Sequence, residues 1–391
     1  MAIEARVVRR SAGERLAIVE CYAAMFMLGF MISLLGPSLP GLAERTGVTL
    51  PQAGFLFTLF SGGSILGTLF VAPLNDRPIR RWTFLFGTLL MAASLYLLSV
   101  SRTFLHAGAA MALAGLAMST GGTVPNALFL DQYRERAGRA LNGLHMFAGI
   151  GSFIGPLVTA VVYRGGGDYA VSYRLAAGMM FAVAVVWLFA RPPLPMRRVE
   201  APARSGGRWL WPLFFVLILA LLYTGTEQVL AGWLFTYGRD ALSLLAPTAS
   251  LATSLFWGAV LVGRLTAVAA LRRLTNVRLV QVCLIMALGG IALILGGRNW
   301  PILFWIGVAL VGAGFGPIFP TGLVLSSELA PQRSGAVATW FVAAGSLGSM
   351  ILPAVAGGLI PLIGIAGSIA LSVLPVSLML LTMHFISARA R

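Results

Sequence analysis

The sequence predicts an all-α integral membrane protein of twelve transmembrane helices, arranged as two six-helix repeats that run parallel. Three observations carry that expectation: the composition, the distribution of arginine and an internal repeat. Of the 391 residues 58% are hydrophobic and only 10% charged, with a mean hydropathy of +0.89. A soluble surface on a chain of this size needs far more charge. Apolar runs of about 20 residues or more recur from end to end, each long enough to cross the hydrocarbon core.

Net charge is +16, which by itself would suit nucleic acid, so the placement of the charge decides. All 28 basic residues are arginine. Six fall in odd-numbered loops (Arg45, Arg102, Arg164, Arg174, Arg239, Arg298), Arg264 lies within a helix, and the other 21 fall in the termini and even-numbered loops. That asymmetry follows the positive-inside rule and places both termini in the cytoplasm, with the chain in the inner (plasma) membrane. The arginines form no single patch, and nucleic acid is excluded as a partner.

The spans run roughly over 15–40, 50–73, 81–101, 104–130, 137–163, 171–191, 209–238, 247–271, 277–297, 300–327, 333–359 and 364–387. The first is too long for a signal-peptide apolar region and ends without a small-residue cleavage site, so it is expected to stay as a helix. Residues 192–208 combine Pro, Gly and Arg, the composition of a linker. They divide the chain into a six-helix bundle over 1–191 and a second over 209–391. Cys21 and Cys283 lie in apolar runs without metal-ligand spacing and are expected as small buried hydrophobes. No metal and no cofactor is expected, and the chain is expected to be a monomer.

The repeat is carried by matched residues. Leu59-Phe-Ser-Gly-Gly-Ser-Ile-Leu-Gly67 superposes on Leu255-Phe-Trp-Gly-Ala-Val-Leu-Val-Gly263 at an offset of 196. Pro125-Asn126 matches Pro320-Thr321 at 195, and Gly149 with Pro156 matches Gly345 with Pro353 at 196 to 197. An even number of spans per copy makes the copies parallel, with a substrate path expected between them. Small-xxx-small spacings such as Gly63/Gly67, Gly151/Gly155 and Gly312/Gly316 predict close helix packing.

The loop Leu74-Asn-Asp-Arg-Pro-Ile-Arg-Arg81 is similar to a motif of the major facilitator superfamily, in which a Gly precedes Leu-x-Asp-Arg-x-Gly-Arg-Arg. Leu74, Asp76, Arg77, Arg80 and Arg81 match, while Ala72 and Ile79 replace the two glycines. Two further stretches resemble the branch of fucose permease and the sodium-dependent glucose transporters. One is Arg139-Ala-Leu-Asn-Gly-Leu-His-Met-Phe-Ala-Gly-Ile-Gly-Ser-Phe-Ile-Gly-Pro156, and the other Leu222-Tyr-Thr-Gly-Thr-Glu-Gln-Val-Leu-Ala-Gly-Trp233. The resemblance implies the major facilitator fold and a cytoplasmic gate formed by Asp76, Arg77, Arg80 and Arg81. Asp131, Arg264 and Glu328, charges at or near span ends, are expected to join that gate. Fucose–proton symporters of the branch carry carboxylates in the first and fourth helices. Here the first span has only Glu20, near its end, and the fourth none before Asp131, so no proton relay is expected in the first half.

Glu227 is the carboxylate farthest from any predicted helix end. An ionisable group at membrane depth costs about 2.5 kcal/mol to insert, which makes function the first expectation for it. On an ideal helix Tyr223, Thr226, Glu227 and Trp233 share one arc, with Gly225 and Gly232 opposite. Rings, hydroxyls and one carboxylate suit a sugar, whose C–H faces stack on aromatics while its hydroxyls need partners. The same carboxylate suits Na⁺ or H⁺, with His145 as a second coupling candidate. Asn142 and His145 on the fifth span are candidate substrate contacts, as are Asn126, Trp257, Phe315 and Trp340. Phe30, Ser33, Phe60, Ser64, Thr123, Thr321 and Ser346 join them because the resembled fold lines its cavity with these helices.

No nucleotide loop, triad or metal motif is present, and an enzyme is not expected. The expectation is a secondary transporter that moves a small polar solute of the sugar class by alternating access, coupled to Na⁺ or H⁺. The alternatives are a proton-coupled exporter of amphipathic drugs or metabolites, and a non-transporting receptor on the same scaffold.

Overall fold

The computed structural model describes residues 11–71, 74, 77–133, 137–194, 210–329 and 334–389. Every regular element among them is a helix: α1 Ala12–Thr46, α2 Leu50–Val71, α3 Arg80–Val100, α4 Phe104–Tyr133, α5 Ala137–Arg164, α6 Tyr169–Trp187, α7 Leu210–Asp240, α8 Ala246–Ala270, α9 Asn276–Gly296, α10 Pro301–Phe315, α11 Ile318–Leu329, α12 Ser334–Ala370 and α13 Val373–Arg389. Among the described residues eleven segments are long and apolar enough to cross a bilayer, and the stretch after the kink at Gly364, which ends in the shorter apolar helix Val373–Ile386, makes the twelfth crossing. The linker expected over 192–208 lies, from 195 on, outside the described residues.

Local chemistry sets the helix ends. Ser11 caps α1 in a reciprocal box with Glu14, which satisfies two otherwise orphaned N–H groups. Gly47, in the left-handed region at φ 69°, closes the same helix. Two elements depart from the expected spans. The tenth crossing is divided into α10 and α11 by a lapse in the hydrogen-bond ladder at Gly316–Pro317, while Gly316 itself keeps helical angles (φ −48°, ψ −49°). The eleventh runs on as one long element to Ala370 with a break at Gly364, φ 71°, at the residue where the twelfth span was expected to start.

The sequence repeat is also a packing repeat. A Cβ on Gly29 would strike the Ala148 carbonyl, and one on Gly151 the Phe26 carbonyl, so α1 and α5 cross with backbones in contact. In the second half Gly225 meets the Gly348 carbonyl and Gly348 meets that of Leu221, which reproduces the crossing between α7 and α12. Likewise Gly115 on α4 faces the Phe60 carbonyl of α2, and Gly312 on α10 faces that of Phe256 on α8. Without a hydrophobic drive between helices in lipid, such small-residue contacts supply the dispersion that holds each bundle.

Twelve crossings put both termini on one face. The contacts that join the halves lie toward the opposite face. Gly36 of α1 abuts Ala231 and Gly232 of α7, and Gly54 of α2 sits against Trp233 of α7 and Gly357 of α12. Thr58 Oγ1 donates to the Met350 carbonyl at 2.7 Å. On the other flank Ser250 donates to Pro156 O at 2.8 Å and Ser254 to Phe153 O at 2.6 Å, tying α8 to α5. This is a state closed on the face away from the termini.

Because the crossings leave no room for a methyl group against backbone, Gly151→Ala and Gly348→Ala should each destabilise the protein by about 1–3 kcal/mol. Gly178→Ala, with open space around it, should leave stability unchanged. Thermal unfolding of the three variants in detergent checks this.

A central cavity beside a buried charge cluster

Midway along the helices, a cavity of about 250 Å³ lies between the halves. Ile32 of α1, Phe57, Phe60, Ser61 and Ser64 of α2 and Met118 of α4 line one side. Thr224 and Gln228 of α7, Phe319 of α11, and Val342, Gly345, Ser346 and Ser349 of α12 line the other. Ile32 and Gln228 are equivalent positions at the repeat offset of 196, so the two halves meet across the cavity in register. The wall alternates rings with short hydroxyls. The Thr224 hydroxyl is buried there without a hydrogen-bond partner, and the Gln228 amide makes no side-chain hydrogen bond among the described residues. A desolvated hydroxyl without a partner costs about 1–3 kcal/mol, a cost that a polar solute can remove.

Behind Phe319 stands a cluster of ionisable groups. Glu227 is 6% exposed, and its Oε1 accepts from the Tyr223 hydroxyl at 2.6 Å. Tyr223 is one helical turn back on the same helix, the i,i+4 geometry that lets the two side chains meet. The Arg264 guanidinium of α8 is within electrostatic reach of both, without forming a direct ion pair with the carboxylate. Its Nε donates to the Gly316 carbonyl at 3.3 Å. From α5, the exposed His145 lies within electrostatic reach of the same guanidinium across the boundary between the halves. The Tyr223 ring packs edge-on against Phe315 at 5.5 Å and, tilted, against Phe319 at 6.2 Å.

The structure therefore separates groups that the helix-face argument had joined. Tyr223 and Glu227 lie behind the wall, while the cavity surface of α7 belongs to Thr224 and Gln228, about 60–100° further round the helix. The Thr226 hydroxyl is spent on its own helix, donating to Leu222 O. Trp233 is fully buried, donates to Pro353 O at 3.3 Å and fills the seam between the halves near the closed face, not the cavity. Phe315 is buried behind Tyr223. Trp340 is 44% exposed and does not line the cavity. Trp257 and Asn126 are inside, with Nε1 and Oδ1 buried and unpartnered, but neither lines it. Asn142 and His145 are exposed side chains of α5. Of the wider set, Phe60, Ser64 and Ser346 are in the wall. Thr224, Gln228 and Phe319 were not among the expected contacts; a polar i,i+4 pair in mid-span was the available signal.

The expected gate residues are distributed differently. Asp76 lies outside the described residues, and Arg77 is exposed in the loop before α3. Arg80 Nη1 pairs with Asp131 Oδ2 at 2.7 Å, with both side chains buried, and its Nη2 donates to Pro193 O. Arg81 donates to Leu188 O at 2.6 Å. Glu328 accepts from Asn276 at 3.0 Å. Each of these contacts stays within its own half of the molecule in this state. Arg264 points inward to Glu227 rather than outward to the interface.

Comparison with known proteins accords with this architecture. A model of the Major Facilitator Superfamily matches residues 21–353. Sodium-dependent glucose transporter 1 of Danio rerio is 24% identical over 390 residues, covering 86% of this chain and 63% of its own. Sodium-dependent glucose transporter 1A of Mus musculus is 22% identical and covers 86% and 88%. This chain thus spans less than two thirds of the Danio rerio relative. Among solved structures, the nucleoside transporter NupG superposes with a TM-score of 0.73 at 14% identity, over 97% of this chain and 99% of that one. The peptide transporter POT in complex with sulfate gives 0.76 at 14%, over 95% and 94%. The chain belongs to the major facilitator superfamily and is a multi-pass membrane protein of that transporter family.

Proposed function

We propose that this transporter moves a sugar or a closely related polyol by alternating access, coupled to Na⁺ or H⁺ through Glu227. The observation that carries the reading is the cavity itself. Phenylalanine faces suit the C–H faces of a sugar ring, while Ser61, Ser64, Thr224, Gln228, Ser346 and Ser349 offer donors and acceptors around it. Its volume, about 250 Å³, falls below the roughly 300–1,000 Å³ of pockets for drug-sized ligands, which favours a small solute. The wall also presents no carboxylate to an amphipathic cation, because Glu227 is behind Phe319 and Tyr223. The relatives, sodium-dependent glucose transporters of Danio rerio and Mus musculus, agree with both the solute class and an ion gradient.

Glu227 is the coupling group in this reading because its charge is paid for incompletely: one short hydrogen bond and a guanidinium held off from direct contact. A cation or a proton completes that compensation. The arginine-rich terminal face is the cytoplasmic one, so the state closed on the far face is open to the cytoplasm.

Glu227→Gln should abolish accumulation of solute against its gradient in proteoliposomes, while facilitated exchange and thermal stability remain. Normal ion-driven accumulation by the variant would sink the assignment. Independently, D-glucose and related hexoses should raise the melting temperature of the purified protein, since a ligand at about 100 times its Kd adds about 2.7 kcal/mol. A shift with lipophilic cations and none with sugars would transfer the protein to the exporter reading.

A further inference from the structure

The break between α10 and α11 has a chemical cause and an unusual repair. In a continuous helix the Gly316 carbonyl accepts from the N–H of residue 320, but that residue is Pro320 and has none. Pro317 likewise leaves the Ala313 carbonyl without a helical donor. The helix resumes with Thr321 N–H donating to Pro317 O at 3.1 Å. The orphaned Gly316 carbonyl is taken by the Nε of Arg264, from a different helix. Gly316 is also pressed onto α8, where a Cβ would collide with Val260 O and Arg264 N. The same guanidinium lies within electrostatic reach of Glu227, whose carboxylate is bonded by the Tyr223 hydroxyl at 2.6 Å, and the Tyr223 ring in turn packs on Phe319. Three residues past the break, Phe319 stands in the cavity wall between the rings of Tyr223 and Phe341, at 6.2 and 5.2 Å.

We propose that Arg264 is a positioning residue that ties the charge on Glu227 to the α10–α11 break, and through Phe319 to access to the cavity. A charged Glu227 competes with the Gly316 carbonyl for the guanidinium. Once an ion or a proton neutralises Glu227, the guanidinium settles on the carbonyl and fixes α11, with Phe319, in one orientation. The inference rests on the reading of Glu227 as the coupling group and adds the part that moves.

The test uses the full chain with Cys21→Ala and Cys283→Ala, both buried in the native protein, and Ser346→Cys as a reporter in the cavity wall. The rate of maleimide labelling in proteoliposomes is measured with and without Na⁺, at acid and neutral pH. In this parent, Na⁺ or acid should change the rate severalfold. Arg264→Gln should abolish that response. Pro320→Ala should abolish it too, because the new N–H gives Gly316 O its helical partner and makes Arg264 redundant at the break. Pro320→Ala leaves both charges in place, so a purely electrostatic or structural role for Arg264 would not predict its effect. It also carries the test alone if Arg264→Gln does not fold. An ion response that survives in Pro320→Ala, or in folded Arg264→Gln, overturns the proposal, as does a parent that does not respond. Glu227→Gln distinguishes the two levels. If the response persists in it, the reading of Glu227 fails as well; if it alone abolishes the response, only the role of Arg264 falls.

Discussion

A carboxylate in hydrocarbon has to be compensated by its neighbours, and the second half of this protein is arranged around that requirement. Tyr223 supplies Glu227 with a short hydrogen bond, and Arg264 supplies opposite charge from α8 without closing an ion pair. A fully paired Glu–Arg contact would be strongly resistant to change, since breaking a buried pair costs about 3–5 kcal/mol. The first half shows that alternative. Arg80 and Asp131 are in contact at 2.7 Å, both buried, and Arg80 also holds the Pro193 carbonyl at the end of that bundle. One carboxylate is directly ion-paired; the other is not.

The glycine crossings of α1 with α5 and α7 with α12 bring backbones into contact and leave little slack within each half. Between the halves the close approach of Gly36 to Ala231 and Gly232 is joined by single hydroxyl-to-carbonyl bonds, Thr58 to Met350, Ser250 to Pro156 and Ser254 to Phe153. Bonds of that sort are each worth about 0.5–1.5 kcal/mol and can be exchanged one at a time as the halves rock. Rigid bundles joined by weak, replaceable contacts are what alternating access needs mechanically.

Much of the fold was legible in the chain because the bilayer imposes long apolar runs, and the repeat left matched glycines and prolines at one offset. Glu227 was legible for the same reason, as a charge with no ordinary explanation. The cavity wall was less so. Helix periodicity says which residues share a face but not which neighbour that face meets, and an error of about 100° exchanges Glu227 for Gln228. Trp233 has the chemistry of a sugar platform but sits near the far end of α7, where the halves close, and so became packing. Glu20, near the end of the expected first span, is 6% exposed with Oε2 buried and unpartnered, because α1 begins at Ala12 and carries it inside. Arg264, expected in the gate, instead turns inward, where its Nε holds the proline-orphaned carbonyl of Gly316, a partner that span periodicity does not reveal.

The repeat offset shows how one copy came to differ from the other. Stepping back by 196 residues from Tyr223, Glu227 and Arg264 gives Met27, Met31 and Thr68 in the first half. Two of these are apolar, and the third bonds the Ser64 carbonyl and Ser119 hydroxyl within its own bundle. Pro320 has its counterpart in Pro125, but the position matching Pro317 at an offset of 195 is Gly122. Accordingly α4 runs unbroken from Phe104 to Tyr133 past a single proline, whereas the equivalent crossing in the second half, with two, divides into α10 and α11. The carboxylate, the guanidinium and the helix break are therefore found together in one repeat and together absent from the other. Features that vary as a set across a duplication are more economically explained as parts of one device than as three separate accidents of packing.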